Sequence, residues 1–234
     1  TRAREFLQRE MPENIVIIGS GLTGVETACA LVESLDAAIY VVEMMERPLP
    51  TFPESVSAVV DRMLNKKGMR VLTSRQVKEI TEDKVIFSDE TFLDSDMSLW
   101  TAGIKPSVFV KELNIPKRKG WLLTDPYLRV QGQEDVFAIG DNAWVEVDGK
   151  VATKTGIEAE RQAKYTAKNL ARLAKGKDPS PYPVMAGTKD PMALISIGYR
   201  CAVGVYGDTC ITMPSLLIYA LKSWIDKSFV KRFK

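Results

Sequence analysis

Hydrophobic and polar positions change rhythm several times along this chain, and each change marks an element. Residues 14–18 form an apolar run after one asparagine, the pattern of a strand buried on both faces. From Leu22 the apolar residues return at helical spacing as far as Leu35. Residues 38–42 are a second unbroken run, closed by Glu43. Three prolines make residues 44–53 a loop. Val56, Val59, Val60, Met63 and Leu64 mark one face of a helix that Gly68 ends. Residues 69–72 predict a third strand, 76–80 and 84–87 an antiparallel ribbon, and 97–101 a further strand.

Beyond Lys105 the pattern is looser. Residues 121–130 read as two short strands about Asp125-Pro126, and 135–141 as a buried strand ending in Gly-Asp. Residues 156–174 predict a long helix with Ile157, Ala159, Ala163, Ala167 and Leu170 toward one side. A Pro/Gly/Ser/Lys linker covers 175–183, and strands follow at 193–197 and 202–206. A last helix starts at Pro214, with Leu217, Ala220, Leu221, Trp224 and Ile225 on one side and Lys222, Asp226 and Lys227 facing away. Its basic end holds Lys227, Lys231, Arg232 and Lys234, with Phe229 and Phe233 among them. Residues 214–234 therefore suit a membrane surface, apolar side down. Packing on its own domain or on the partner of a homodimer suits the same pattern. The predicted class is α/β in three regions: a Rossmann-like βαβ unit with a three-stranded meander over 12–104, a second region over 105–183, and a C-terminal region with an amphipathic helix over 184–234. Residues 1–10 read as a linker or the tail of a helix, as in a chain cut from something longer.

The first turn carries the chemistry. Gly19-Ser20-Gly21-Leu22-Thr23-Gly24 joins the first strand to its helix. In such a turn the first glycine allows the tight bend, and the second lets the backbone approach a pyrophosphate. The third lets helix and strand pack closely, and the helix N-terminus offers free N–H groups to the phosphates. Glu43 ends the second strand roughly 20 residues past the last glycine, where an acid completes the dinucleotide fingerprint. Its carboxylate can accept from both adenosine ribose hydroxyls and would repel a 2′-phosphate. Glu43 therefore favours NADH over NADPH, and Arg47, four residues on, could soften that exclusion.

Composition narrows the field. At 234 residues and 45% apolar there is enough for a buried core, and a net charge of +2 argues against a nucleic-acid partner. The chain has no histidine, which removes Ser-His and Cys-His catalysis and most metal sites. Cys29, Cys201 and Cys210 show no paired spacing, so neither a disulfide framework nor a metal is expected. No signal peptide or long apolar run is present, and a cytoplasmic location is expected, peripheral on the membrane if the last helix docks there.

Three more segments follow the fingerprint: Trp100-Thr101-Ala102-Gly103-Ile-Lys-Pro, Asp135-Val-Phe-Ala-Ile-Gly140-Asp141, and Lys154-Thr155-Gly156-Ile157-Glu-Ala-Glu-Arg161-Gln-Ala-Lys-Tyr165. In this order and spacing they resemble the two-dinucleotide-binding-domain flavoproteins, the pyridine nucleotide-disulfide oxidoreductases, and most of all the type II NADH dehydrogenases. The resemblance implies an NADH-binding domain inserted into an FAD-binding one, with FAD and NAD(H) as cofactors. It implies hydride transfer from NADH to FAD and electrons passed on to a quinone or another acceptor. It implies that Gly19, Ser20, Gly21, Leu22, Thr23, Gly24 and Glu43 hold NADH, with Thr101-Ala102-Gly103 at the return crossing. Gly140 and Asp141 would hold FAD, and Glu26 would lie where nicotinamide meets flavin. Lys154, Thr155, Gly156, Ile157 and Arg161 would form the quinone side of the flavin pocket.

The family's earlier glycine fingerprint for FAD is missing, which implies the C-terminal part of a longer flavoenzyme. Ile157 and Arg161 stand where type II dehydrogenases usually have glutamines, and Lys154-Thr-Gly156 is closer to the sulfide:quinone oxidoreductases. In that alternative Cys201 or Cys210 would be a redox cysteine. The NADH fingerprint and Ile-Ser-Ile-Gly-Tyr-Arg at 195–200 speak against it. Disulfide reductases of this fold need a C-terminal histidine, which this chain lacks. An isolated NADH-binding module without turnover is the remaining alternative.

Overall fold

The computed structural model describes residues 11–185, 187–188, 191–212 and 215–231. The tail at residues 1–10, the helix start at Pro214 and the basic residues Arg232 and Lys234 lie outside them. Contacts divide the chain into two units, residues 1–103 with 192–234, and residues 104–191.

The first unit is built on four parallel strands. β1 (Asn14–Ile18) pairs in register with β2 (Ala38–Val42). α1 (Leu22–Val32) makes the crossover between them, and α2 (Glu54–Lys66) leads to β3 (Arg70–Leu72). α2 carries Glu54 in its first turn and Lys66 in its last, each at the end of the helix dipole that stabilises its charge. A meander of β4 (Val77–Ile80), β5 (Lys84–Phe87) and β6 (Phe92–Asp94) precedes β7 (Met97–Trp100), and the sheet order is β3-β2-β1-β7. Alternation along β1 decides what each face meets. Val16 and Ile18 pack with Val42 against Val85 and Phe87 of the meander. Ile15 and Ile17 join Ile39, Val41 and the helices in the main core.

The second unit holds α3 (Val108–Glu112), β8 (Lys117–Arg118) and β9 (Trp121–Leu123). A short 3₁₀ turn (Gly140–Asn142) leads into β10 (Ala143–Trp144), then the hairpin of β11 (Glu146–Val147) and β12 (Lys150–Val151), then α4 (Gly156–Leu173). Two expectations change here. Residues 135–141 are not a strand. They touch Arg129 in a single bridge at Phe137, and a bond from Ala138 N to Leu128 O completes a loose turn. An apolar run becomes a buried strand only with neighbours to pair its backbone, and this one lacks them among the described residues. α4 is present, but its apolar stripe points outward: Ile157, Ala163, Ala167 and Leu170 are exposed. The buried stripe is Glu158, Gln162, Thr166 and Asn169. Each of three has a partner far along the chain. Glu158 Oε1 accepts from Tyr182 OH at 2.7 Å, Gln162 Oε1 from Gly140 N at 2.7 Å, and Asn169 exchanges two bonds of 2.9 Å with the backbone of Ser180.

The C-terminal segment belongs to the first unit. β13 (Met192–Ser196), β14 (Ala202–Tyr206) and β15 (Thr209–Ile211) form an antiparallel sheet. Ile195, Ile197, Val203 and Val205 enter the main core beside α1 and α2. α5 (Ser215–Lys231) lies over β14 and β13. Of the orientations open to it, the helix keeps its apolar side outward. Lys222 turns inward to Glu26 at 3.3 Å. Leu217 and Trp224 remain 66% and 67% exposed.

Candidate functional site

In the first unit the glycine turn opens a cleft of about 500 Å³ at the carboxyl ends of the parallel strands. Gly19, Gly21, Glu43, Thr101, Ala102 and Gly103 line it, so residues far apart in sequence meet there. The three fingerprint glycines differ in what requires them. Gly19 has φ +100°, and a Cβ on it would meet the Ala102 backbone at 2.7 Å. A Cβ on Gly24 would sit 1.9 Å from the carbonyl oxygen of Gly19. A Cβ on Gly21 would meet no atom within 4 Å, and its φ of −66° suits any residue. Neither packing nor backbone geometry asks for glycine at 21. Gly21 is also the N-cap of α1 and supplies no side-chain cap, so the first N–H groups of Leu22, Thr23 and Gly24 are free for an anion. Thr101 clamps the turn from the other side, donating its hydroxyl to Ile18 O at 3.0 Å and Gly19 O at 2.8 Å.

Glu43 is buried at the cleft wall. Its Oε2 accepts from the N–H and the hydroxyl of Ser20, at 2.9 and 2.7 Å, and its Oε1 accepts from Met45 N at 3.0 Å. Arg47 does not soften this acid. Its guanidinium donates to the carbonyls of Leu49, Pro50 and Phe52, at 3.4, 3.3 and 2.8 Å, and holds the loop in shape. The cation that does line the cleft is Arg75, with Gln76, Met44 and Trp100 beside it. Arg75 is paired to Asp89 and lies over the Phe87 ring at 5.7 Å. Sequence spacing does not single out this group; only its position just before β4, on the edge of the cleft, marks it.

Glu26 sits in the second turn of α1 rather than at its opening. Its Oε1 accepts from Ser196 N at 2.9 Å and pairs with Lys222, so it fastens the C-terminal segment to α1. Cys201 and Cys210 pack against the main core, and burial pushes the Cys210 thiol up.

In the second unit Gly140 and Asp141 form the 3₁₀ turn beside the N-terminal end of α4. Gly140 has φ +62°, and a Cβ there would come within 3.3 Å of Ala159. Asp141 is exposed and makes no hydrogen bond among the described residues. Lys154 Nζ donates to the carbonyls of Gly140, at 3.3 Å, and Ala143, and lies 5.2 Å from the Trp121 ring. Burial pulls its pKa down to about 8, with Asp141 opposing the shift. Thr155 caps α4, accepting from Glu158 N at 3.4 Å. Ile157 is exposed, whereas Arg161 turns toward Tyr182 and its Nε is buried without a partner among the described residues. A carboxylate on a tight turn can accept from the hydroxyls of a polyol such as the ribityl part of a flavin dinucleotide, so the chemistry of Asp141 is compatible with one part of such a site.

Residues 1–166 match the pyridine nucleotide-disulphide oxidoreductase family. The chain belongs to this family. FAD and NAD(H) are the family's cofactors, in agreement with the reading of the motifs. Over 206 residues the chain is 31% identical to the internal alternative NAD(P)H-ubiquinone oxidoreductase A1 of Solanum tuberosum, covering 82% of this chain and 41% of that protein. Over 193 residues it is 28% identical to a type II NADH:quinone oxidoreductase of Haemophilus influenzae, covering 74% of this chain and 44% of that one. The chain thus spans less than half the length of these relatives. The structure of NDH2 from Plasmodium falciparum in complex with NADH superposes with a TM-score of 0.74 over 90% of this chain and 61% of that one. At 16% identity this shows the shared fold. No helix among the described residues is long and apolar enough to cross a membrane.

Proposed function

We propose that this chain supplies the NADH-binding part, and one half of the FAD site, of a type II NADH:quinone oxidoreductase. The observation that carries the reading is the cleft at Gly21, where glycine is required by nothing in the protein, facing a fixed Glu43. When bound, FAD supplies the hydride acceptor and relays two electrons to the quinone. The chain's residues bind and orient. The free N–H groups from Leu22 to Gly24 take the NADH pyrophosphate, and Glu43 takes the adenosine ribose and excludes a 2′-phosphate. Thr101, Ala102 and Gly103 wall the cleft. Glu26 lies along α1 toward the nicotinamide end. Asp141 and Gly140 hold FAD. Lys154 fixes that turn by holding its carbonyls, and Thr155, Gly156, Ile157 and Arg161 form the quinone side. The exposed apolar face of α5, with Lys227 and Lys231 at its end, is the surface for the membrane that holds a long-chain quinone.

The sulfide reading loses ground because both candidate cysteines pack against the core. The deciding experiment is stopped-flow reduction of the FAD-loaded protein by NADH against sulfide. Bleaching by NADH is expected; bleaching by sulfide alone overturns the proposal. A colourless preparation that still binds NADH leaves a nucleotide-binding module without turnover.

A further inference from the structure

We propose that Ser20 is a positioning residue for cofactor choice: it locks the Glu43 carboxylate so that one oxygen, Oε1, meets a single ribose hydroxyl. This rests on Glu43 being the ribose acceptor in the function proposed above. Ser20 is fully buried, so no ligand touches its side chain, and it acts only through Glu43. It spends both its donors on the same oxygen, at 2.9 Å from N–H and 2.7 Å from the hydroxyl. A carboxylate offers about four acceptor positions, two on each oxygen. Oε2 is therefore full, and Met45 N at 3.0 Å takes one of the two on Oε1. One position remains, enough for one hydroxyl rather than the pair expected from the sequence.

The same lock explains selectivity. A carboxylate held by three donors cannot rotate away from a 2′-phosphate. Arg47, the nearby cation that would offset its charge, is occupied by the carbonyls of Leu49, Pro50 and Phe52. The Ser20 carbonyl accepts from Leu49 N at 3.0 Å, so the glycine turn and the loop bearing Glu43's neighbours move together. Removing the hydroxyl leaves the backbone donor in place; Glu43 keeps a tether but gains freedom to turn.

The test is calorimetric titration of the 234-residue chain with NADH and NADPH. Wild type, Ser20→Ala, Glu43→Ala and the double variant are compared, each checked for an unchanged circular dichroism spectrum. Ser20→Ala should raise the NADH Kd roughly five- to tenfold, the scale of one ordinary net hydrogen bond, because the backbone donor still holds Glu43. It should leave NADPH within about twofold, so the preference narrows. In the Glu43→Ala background the same substitution should have no further effect, because coupled residues are non-additive. Unchanged NADH affinity in Ser20→Ala overturns the proposal. So does an equal loss for both nucleotides, or a penalty that persists beside Ala at 43. A wild-type chain that binds no NADH, or one that Glu43→Ala leaves unaltered, removes the nucleotide reading itself and this proposal with it.

Discussion

Replacing Tyr182 with phenylalanine deletes one oxygen and asks whether α4 is held by its polar face. Tyr182 and Glu158 are both buried, joined by the bond of 2.7 Å from phenol to carboxylate. Burial first, and then this bond, push the phenol above its usual range, so it remains a donor throughout the neutral pH range. Glu158 Oε2 has no partner among the described residues, so in the variant neither oxygen would have one. The ring remains, along with its edge contact to Tyr165 at 5.5 Å, and no cavity opens. A hydrogen bond to a charged group contributes about 1.5–3 kcal/mol. That range sets the expected loss, about 1.5–3 kcal/mol. At a urea dependence of about 1.5–2 kcal/mol/M the unfolding midpoint of the second unit should fall by about 1–2 M, with the slope unchanged. Adding Glu158→Gln should recover part of the loss, since an unpaired amide costs less to bury than an unpaired charge. A Tyr182→Phe loss under about 0.5 kcal/mol would refute the reasoning, because α4 would then be held by something other than its polar stripe.

Gly21→Val should fold normally and bind no NADH in titration, while Gly24→Ala, whose Cβ would lie 1.9 Å from Gly19 O, should be destabilised by about 2 kcal/mol or more. Normal binding by Gly21→Val would show that the pyrophosphate lies elsewhere. Lys154, lowered from 10.5 to about 8, makes stability rise with pH between those values, because the unfolded chain still holds a proton that the folded chain has released. Below about pH 8 both states are charged and the folded one bears the cost. Melting temperatures of wild type and Lys154→Met should therefore shift in favour of the wild type from pH 7.5 to 10; a constant difference argues against a buried lysine. Cys29, raised to about 12 chiefly by burial, should resist iodoacetamide at pH 8 longer than the half-buried Cys201 and Cys210, and mass spectrometry after labelling checks the order. Finally, the chain should cosediment with anionic vesicles and be released by high salt, and a Leu217→Glu, Leu221→Glu, Trp224→Glu variant should stay in solution. Equal sedimentation of this variant would assign the face to a dimer or another part of the protein.

Much of the first unit is legible in the amino-acid order alone. Unbroken apolar runs at residues 14–18 and 38–42, the glycine spacing between them and the acid at 43 are local features. Their physical causes act within a few residues: close approach at Gly24, a positive φ at Gly19, a free helix end at Gly21. The Thr101-Ala102-Gly103 turn is equally plain, and it does meet the fingerprint in one cleft.

The orientation of the two long helices is decided only by tertiary structure. Spacing shows that α4 and α5 each have an apolar and a polar side, but not which side finds a partner. For α4 the polar side goes inward because Tyr182, Gly140 and Ser180 wait there to satisfy it; a buried polar group is tolerable only when paired. For α5 the inward residue is Lys222, drawn to Glu26 on α1, and Ser196 reaches the same carboxylate from 170 positions away. The tie from Ser20 to Glu43, and the loss of Arg47 to three loop carbonyls, have the same origin. Composition and periodicity encode how much a segment wishes to leave water. The pairing of individual donors and acceptors depends on which distant residues the chain brings within about 3 Å, and that is set by the fold.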